Sequence, residues 1–299
     1  MNRTASSRRD GLVQNLVLAA GLRLLWILPE GFVRGLARLI GWVLSELLRS
    51  RRRIMEENIR IAFGPQVDHD LMAHICQQAW INLALMTVEV LRFPRWGDRY
   101  VKEMRLEGVE HVMRSLALGR GVIFVVPHLG NWEIGGASLA RRFAFAVIAR
   151  PLNQKGFARV LDDIRARMGV TVIPRKSALK SVLGFLRRGG SVAFMLDQYA
   201  SKHSVVVPFF GRPAKTFSSA AALALHTGAA VHLGYTWRQQ DGSLVCRLCP
   251  PFATPVSDDF DRNVREATAE YTAAIETVIR QHPECWLWMH RRWRPLKPE

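Results

Sequence analysis

Between residues 104 and 228, short apolar runs and amphipathic stretches take turns, and this alternation constrains the fold more than any other feature of the chain. MRLEG (104–108), VIFVVP (122–127), FAFAVIA (143–149), VTVIP (170–174) and SVAFML (191–196) read as strands, and the β-branched run of VIFVVP suits a sheet buried on both faces. The helical period appears between them, in VEHVMRSLAL (109–118), GFARVLDDIRARMG (156–169), SALKSVLGFLRRGG (177–190) and SSAAALALHTG (218–228). Strands VHLGYTW and SLVCRLC and a long helix near 261–281 follow. Such alternation predicts an α/β fold with a mostly parallel central sheet and helices on both faces. The 299 residues, 49% of them hydrophobic, supply core for one such domain at 54–299. Two helices, 54–63 and 70–93, lead into it across a break at Gly64-Pro65.

Residues 1–53 read as a separate membrane-associated region. The stretch 12–28, LVQNLVLAAGLRLLWIL, is shorter than the roughly 20 apolar residues of a clean span and carries Arg23. Ala19, Ala20 and Gly21 could form a cleavage site, yet Arg23 and a second amphipathic stretch follow at once. In 31–48 the apolar residues recur at helical spacing, with Arg34 and Arg38 on another side, as in a helix lying in a membrane interface. A helical hairpin buried on the main domain would show the same pattern. Arg3, Arg8 and Arg9 before these stretches, and Arg49 and Arg51 to Arg53 after them, favour an anionic cytoplasmic leaflet.

Arginine and lysine number 42 against 25 acidic residues, and the net charge of +17 draws anions: nucleic acid, lipid headgroups or an acidic carrier protein. The basic residues are spread among apolar helices and no nucleic-acid recognition pattern occurs, so no nucleic-acid partner is expected. Four scattered cysteines make no disulfide framework. Cys246 and Cys249 form a CxxC, but no second pair completes a zinc set and the segment reads as strand, so neither metal nor cofactor is expected.

In open α/β sheets the ligand crevice lies at the carboxyl ends of the strands. The first residues beyond successive strands are His128, Arg150, Arg175 with Lys176, and Asp197, a charged set after apolar runs. In PHLGNWE, Gly130 permits a tight bend and Asn131 is a favourable N-cap, so that Trp132 and Glu133 open a helix. Folding His128 back over that helix start would let the Glu133 carboxylate accept its ring N–H and leave the other nitrogen as a base. No GxSxG elbow or catalytic-cysteine signature is present, so a covalent acyl-enzyme is not supported. A His–acid pair without a protein nucleophile suits deprotonation of a substrate hydroxyl that attacks an acyl donor directly.

EGVEHVMRSLALGRGVIFVVPHLGNWEIGG, IARPLNQKGF, FMLDQYASKHSVVVPFFGRPAKTFSSAAALALHTGAAV and WLWMHRRWRP, in that order, carry a resemblance. From residue 58 to its end the chain resembles the bacterial lipid A biosynthesis acyltransferases, the lauroyl/myristoyl transferases of the lysophospholipid acyltransferase superfamily. The resemblance implies transfer of an acyl chain from an acyl carrier protein, or less often acyl-CoA, to a hydroxyl of a membrane glycolipid. Within its HX4E pattern His128 would be the general base and Glu133 its partner. Arg150 and Asp197 would join the pocket as substrate-positioning groups, and Lys215 and Thr216 lie in the matching later segment. Oxyanion donors could be the N–H groups of Gly130, Asn131 and Trp132 or the Arg150 guanidinium. The superfamily's glycerolipid members have Pro-Glu-Gly where this chain has LDQ, which favours a saccharide-lipid acceptor. Phosphatidylinositol mannoside acyltransferases share these motifs and are the alternative enzyme. Alternatives of another class are a nucleic-acid-binding protein and a noncatalytic membrane scaffold. The basic, aromatic tail suits either a membrane interface or a packed C-terminus.

Overall fold

The computed structural model describes residues 20–149, 155–175, 178–255 and 257–295. After a helical segment at 20–27 come α1 (Glu30–Leu47), α2 (Arg49–Phe63) and α3 (His69–Glu103). The first stripe of α1, Val33, Ala37, Gly41 and Ser45, is buried. Gly41 lies so close to α3 that an added Cβ would stand 2.6 Å from Ile81 Cα. The opposite stripe, Phe32, Leu36, Leu39, Ile40 and Leu47, is exposed. The expected domain division at 53/54 falls inside α2. No helix among the described residues is long and apolar enough to cross a membrane, and the apolar run 12–28 lies partly outside those residues.

Helix α3 runs on from Phe93 through Pro94 to Glu103, whereas the sequence reading ends it at Phe93. The core side chains Phe93 and Tyr100 hold both sides of the proline, and Trp96 donates its indole N–H to Trp26 O at 3.0 Å, so packing outweighs the helix break.

The remaining elements alternate as expected. They are β1 (Arg105–Glu107), α4 (Val109–Leu116), β2 (Val122–Val126), α5 (Trp132–Ala140), β3 (Phe145–Ala149), α6 (Lys155–Arg167), β4 (Thr171–Pro174), α7 (Ala178–Arg187) and β5 (Ser191–Met195). Then follow β6 (Ser204–Phe209), β7 (Arg212–Phe217), α8 (Ser219–Thr227), β8 (Ala230–Arg238), β9 (Leu244–Pro251) and α9 (Phe260–Gln281). Seven strands form one sheet in the order β1-β9-β8-β2-β5-β3-β4, parallel except where β8 meets β9. Alternate residues of β2 feed two cores. Val122 and Phe124 pack with α3, α5 and α6, while Ile123 and Val125 pack with α7, α8 and α9.

Strands β6 and β7 form a separate antiparallel hairpin that the sequence reading leaves without strands. Pro208 and Pro213 disguise it, because proline reads against a strand, yet here the two pair across an isolated ribbon. Phe210 and Gly211 turn it at φ of 51° and 71°, the positive pair that a two-residue hairpin requires.

Candidate active site

Parallel pairing aligns Val126 of β2 with Met195 of β5. The residues two beyond each, His128 and Asp197, therefore leave the sheet level with one another. Asp197 takes three hydrogen bonds. His128 Nδ1 lies 2.8 Å from Oδ1, and the His128 peptide N–H and the Trp286 indole N–H donate to Oδ2 at 2.7 and 2.8 Å. Burial alone would raise the Asp197 pKa, but the neighbouring His128 charge and these donors more than offset it and hold the carboxyl below its ordinary value. A carboxylate so fixed takes its hydrogen bond from Nδ1–H and leaves the lone pair on Nε2. Among the described residues the hydrogen-bond partner of Nε2 is the Gln198 amide, at 3.4 Å. Among the described residues no serine, threonine or cysteine is hydrogen-bonded to His128.

This corrects the expected partner. Glu133 does not meet His128; its carboxylate is held by Arg165 of α6, Nε to Oε2 at 3.1 Å and Nη2 to Oε1 at 2.5 Å. A two-pronged guanidinium pair outcompetes a single imidazole N–H, and Asp197 already occupies Nδ1. Burial would lower the Arg165 pKa, yet the Glu133 hydrogen bond and charge raise it above the ordinary value.

The turn between His128 and α5 is tied at every residue. His128 O accepts from Leu287 N at 3.1 Å, Leu129 O from the Thr236 hydroxyl at 2.7 Å, and Gly130 N–H donates to Cys285 O at 3.0 Å. The Gly130 N–H is therefore committed and is not an oxyanion donor, contrary to the sequence expectation. Gly130 has φ of 61°, and a Cβ there would stand 2.4 Å from Thr236 O, so only glycine fits. Asn131 caps α5, its Oδ1 accepting from Ile134 N at 3.1 Å. The Trp132 N–H belongs to the first turn of α5, where helical carbonyls leave donors unclaimed. The Trp132 ring stands edge-on to His128, 5.1 Å between centroids.

Of the other expected site residues, Arg150 and Lys176 lie outside the described residues. Arg175 stacks over the Phe217 ring at 5.4 Å, and Lys215 sits on β7 with its peptide O accepting from Arg292 at 2.7 Å. Sequence reasoning missed Arg165, Trp286 and Glu89. The tail that carries Trp286 is packed: Trp286, Trp288 and Arg292 are buried, and the segment pairs with the turn after β2 through Leu129 and Trp286. His290 of this tail accepts the Tyr199 N–H at 3.1 Å, and burial pushes its imidazole down to about 4. A core histidine provides contrast. His232 is fully buried, with Cys249 O at 2.8 Å and the Ser115 hydroxyl at 2.9 Å occupying both ring nitrogens.

A cleft of about 110 Å³, open to solvent at one side, runs beside the turn, between α5 and the sheet. Val126 and Met195, each two residues before a dyad member, line it with Phe124, Phe145, Val147 and Leu139. Gly135, Gly136, Ala193 and Gly234 also line it, and the Glu133–Arg165 pair places charge in a lining that is otherwise mostly apolar, with Tyr235 and Thr236 among it.

An imidazole held by a buried carboxylate thus stands at the carboxyl ends of two parallel strands, beside a largely apolar cleft. The family model of the bacterial lipid A biosynthesis acyltransferases matches residues 6–295, and the chain belongs to that family and is an acyltransferase. It is 29% identical over 280 residues to the lipid A biosynthesis palmitoleoyltransferase of Escherichia coli (strain K12), covering 92% of this chain and 90% of that one. It is 24% identical over 289 residues to the phosphatidylinositol mannoside acyltransferase of Mycolicibacterium smegmatis, covering 95% and 92%. The crystal structure of the 1-acyl-sn-glycerophosphate acyltransferase PlsC from Thermotoga maritima covers 88% of this chain and 100% of its own, at 13% identity and a TM-score of 0.39, too loose to bear on the site.

Proposed function

We propose that the chain transfers a fatty acyl group from an acyl-carrier-protein thioester, or less often acyl-CoA, to a hydroxyl of a membrane glycolipid such as a lipid A precursor. The observation that carries this reading is the His128 ring beside the apolar cleft, its Nδ1 fixed by Asp197 and its Nε2 met among the described residues by the long 3.4 Å contact of the Gln198 amide, which an acceptor hydroxyl can displace. The acyl chain lies in the cleft and the thioester carbonyl at its mouth. His128 takes the proton of the acceptor hydroxyl as its oxygen attacks the carbonyl, then returns a proton to the departing thiolate. The peptide N–H of Trp132, at the positive end of α5, faces the charge that develops on the carbonyl oxygen. Glu133 acts through Arg165, holding that guanidinium at the cleft where it meets the polar head of the acyl donor. Arg175 and Lys215, with Arg150 and Lys176, contribute positive charge for phosphate-bearing substrates, and the net charge of +17 steers an acidic carrier and anionic lipid toward the protein. The exposed stripe of α1, flanked by basic residues, lies in the cytoplasmic leaflet of the inner membrane.

The full chain, incubated in vesicles with labelled acyl-carrier-protein or acyl-CoA thioesters, is expected to label a lipid A precursor, faster from the carrier protein. Phosphatidylinositol mannoside is the second acceptor to include, given the extent of the Mycolicibacterium alignment. Transfer to lysophosphatidic acid alone, or to no acceptor, would refute the glycolipid reading.

A further inference from the structure

We propose that Glu89 is a positioning residue for acyl transfer, acting through Asn131 on the catalytic turn; this rests on the role given to His128 above. Asn131 is completely buried and both ends of its amide are used. Its oxygen faces the Ile134 N–H, which needs an acceptor, so its NH2 faces the other way, and there it meets Glu89 Oε2 at 2.7 Å. Glu89 sits on α3, 1% exposed, on a helix remote in sequence from the turn. A second donor reaches the same oxygen: Arg238 Nη2 of β8, at 2.7 Å. The other oxygen, Oε1, accepts no hydrogen bond among the described residues and has the Arg34 guanidinium of α1 at 3.8 Å.

Capping alone does not call for this arrangement. A serine or aspartate at position 131 would satisfy the Ile134 N–H as well, with no buried charge behind it. Burying a carboxylate with two guanidinium groups brings a desolvation cost that the pairing barely offsets, so the cluster is poorly explained as a stability device. What it adds is a fixed point. Strand β8 then holds the turn at two places, through the Thr236 hydroxyl on Leu129 O and through Arg238, Glu89 and Asn131. The far end of the turn, where the Trp132 N–H begins α5, is thereby set relative to His128. A base and an oxyanion donor act together only while both converge on one carbonyl, and a displacement of about 1 Å can cost on the order of a hundredfold in rate.

The test is a set of full-chain variants assayed for acyl transfer, with kcat, KM for the thioester and melting temperature measured for each. Asn131→Ser keeps a cap but cannot reach Glu89, and kcat is expected to fall about 10–100-fold with KM and melting temperature close to wild type. Because both donors converge on one oxygen of Glu89, Glu89→Gln can still serve them, and it is expected to stay within about fivefold of wild type, while Glu89→Leu falls as Asn131→Ser does. Combining Glu89→Leu with Asn131→Ser is expected to add nothing further, since both break one link. If Glu89→Leu does not fold, the contrast of Asn131→Ser with Glu89→Gln still decides. Wild-type kcat in Asn131→Ser, beside an inactive His128→Ala, would overturn the positioning role and leave the base intact. Full activity in His128→Ala would instead overturn the reading on which the proposal rests.

Discussion

Replacing His128 with alanine is expected to lower kcat for acyl transfer by about 10²–10⁴, with the KM for the acyl thioester little changed. The imidazole follows Val126 of the cleft wall by two residues, and its side chain is only 17% exposed, so bulk water is a poor substitute. The cleft itself does not include His128 among its walls, which is why donor binding should survive. The fold should survive too, because the backbone of residue 128 keeps its bonds to Asp197 and Leu287. Steady-state kinetics of the folded variant, beside wild type, measure the loss. Activity within a few-fold of wild type would remove His128 from the chemistry.

The second large effect is expected at Asp197. In Asp197→Asn the side chain has one acceptor oxygen where the carboxylate had two. The His128 peptide N–H and the Trp286 indole N–H both point to the Oδ2 position and claim that oxygen. The amide NH2 then faces Nδ1, which must become an acceptor, so the proton moves to Nε2 and the lone pair is turned away from the substrate. A wrong tautomer of this kind lowers kcat by about 10³–10⁴ while leaving the geometry in place. Glu133→Gln keeps its partner Arg165 and does not touch the imidazole, so its kcat is expected to fall by no more than about tenfold. The comparison of the two variants decides which acid serves the histidine. A heavy loss in Glu133→Gln with a mild one in Asp197→Asn would reverse the assignment made from the geometry.

The sequence predicted much of the sheet because buried parallel strands write themselves as apolar runs, and the glycines and charged residues around them mark their ends. Reading those ends put His128 and Asp197 in one set, and the structure brings these two together, while Arg175 stacks on Phe217. What could not be read was adjacency. β5 sits beside β2 although β3 and β4 intervene in the chain, and only that order brings Asp197 level with His128. Without it, the acid nearest in sequence, Glu133, was the natural partner to expect. Arg165 was hidden for the same reason, as one of several basic residues on a helix whose inward side depends on packing. Trp286 was hidden by composition: a basic, aromatic tail looks the same whether it rests on lipid or folds under the sheet. Glu89 left a fainter trace, an acid in an apolar helical run between Val88 and Val90. Such a residue points to a buried partner without saying which one.

In the proposed mechanism His128 activates the acceptor for direct attack, with no acyl group resting on the protein. Thiol release from the acyl thioester, followed with and without the lipid acceptor alongside the intact mass of the protein, tests it most directly. Rapid thiol release is expected to need the acceptor, with the protein mass unchanged throughout. A burst of thiol equal to the enzyme present, without acceptor and with the mass of one acyl chain added to the protein, would contradict it.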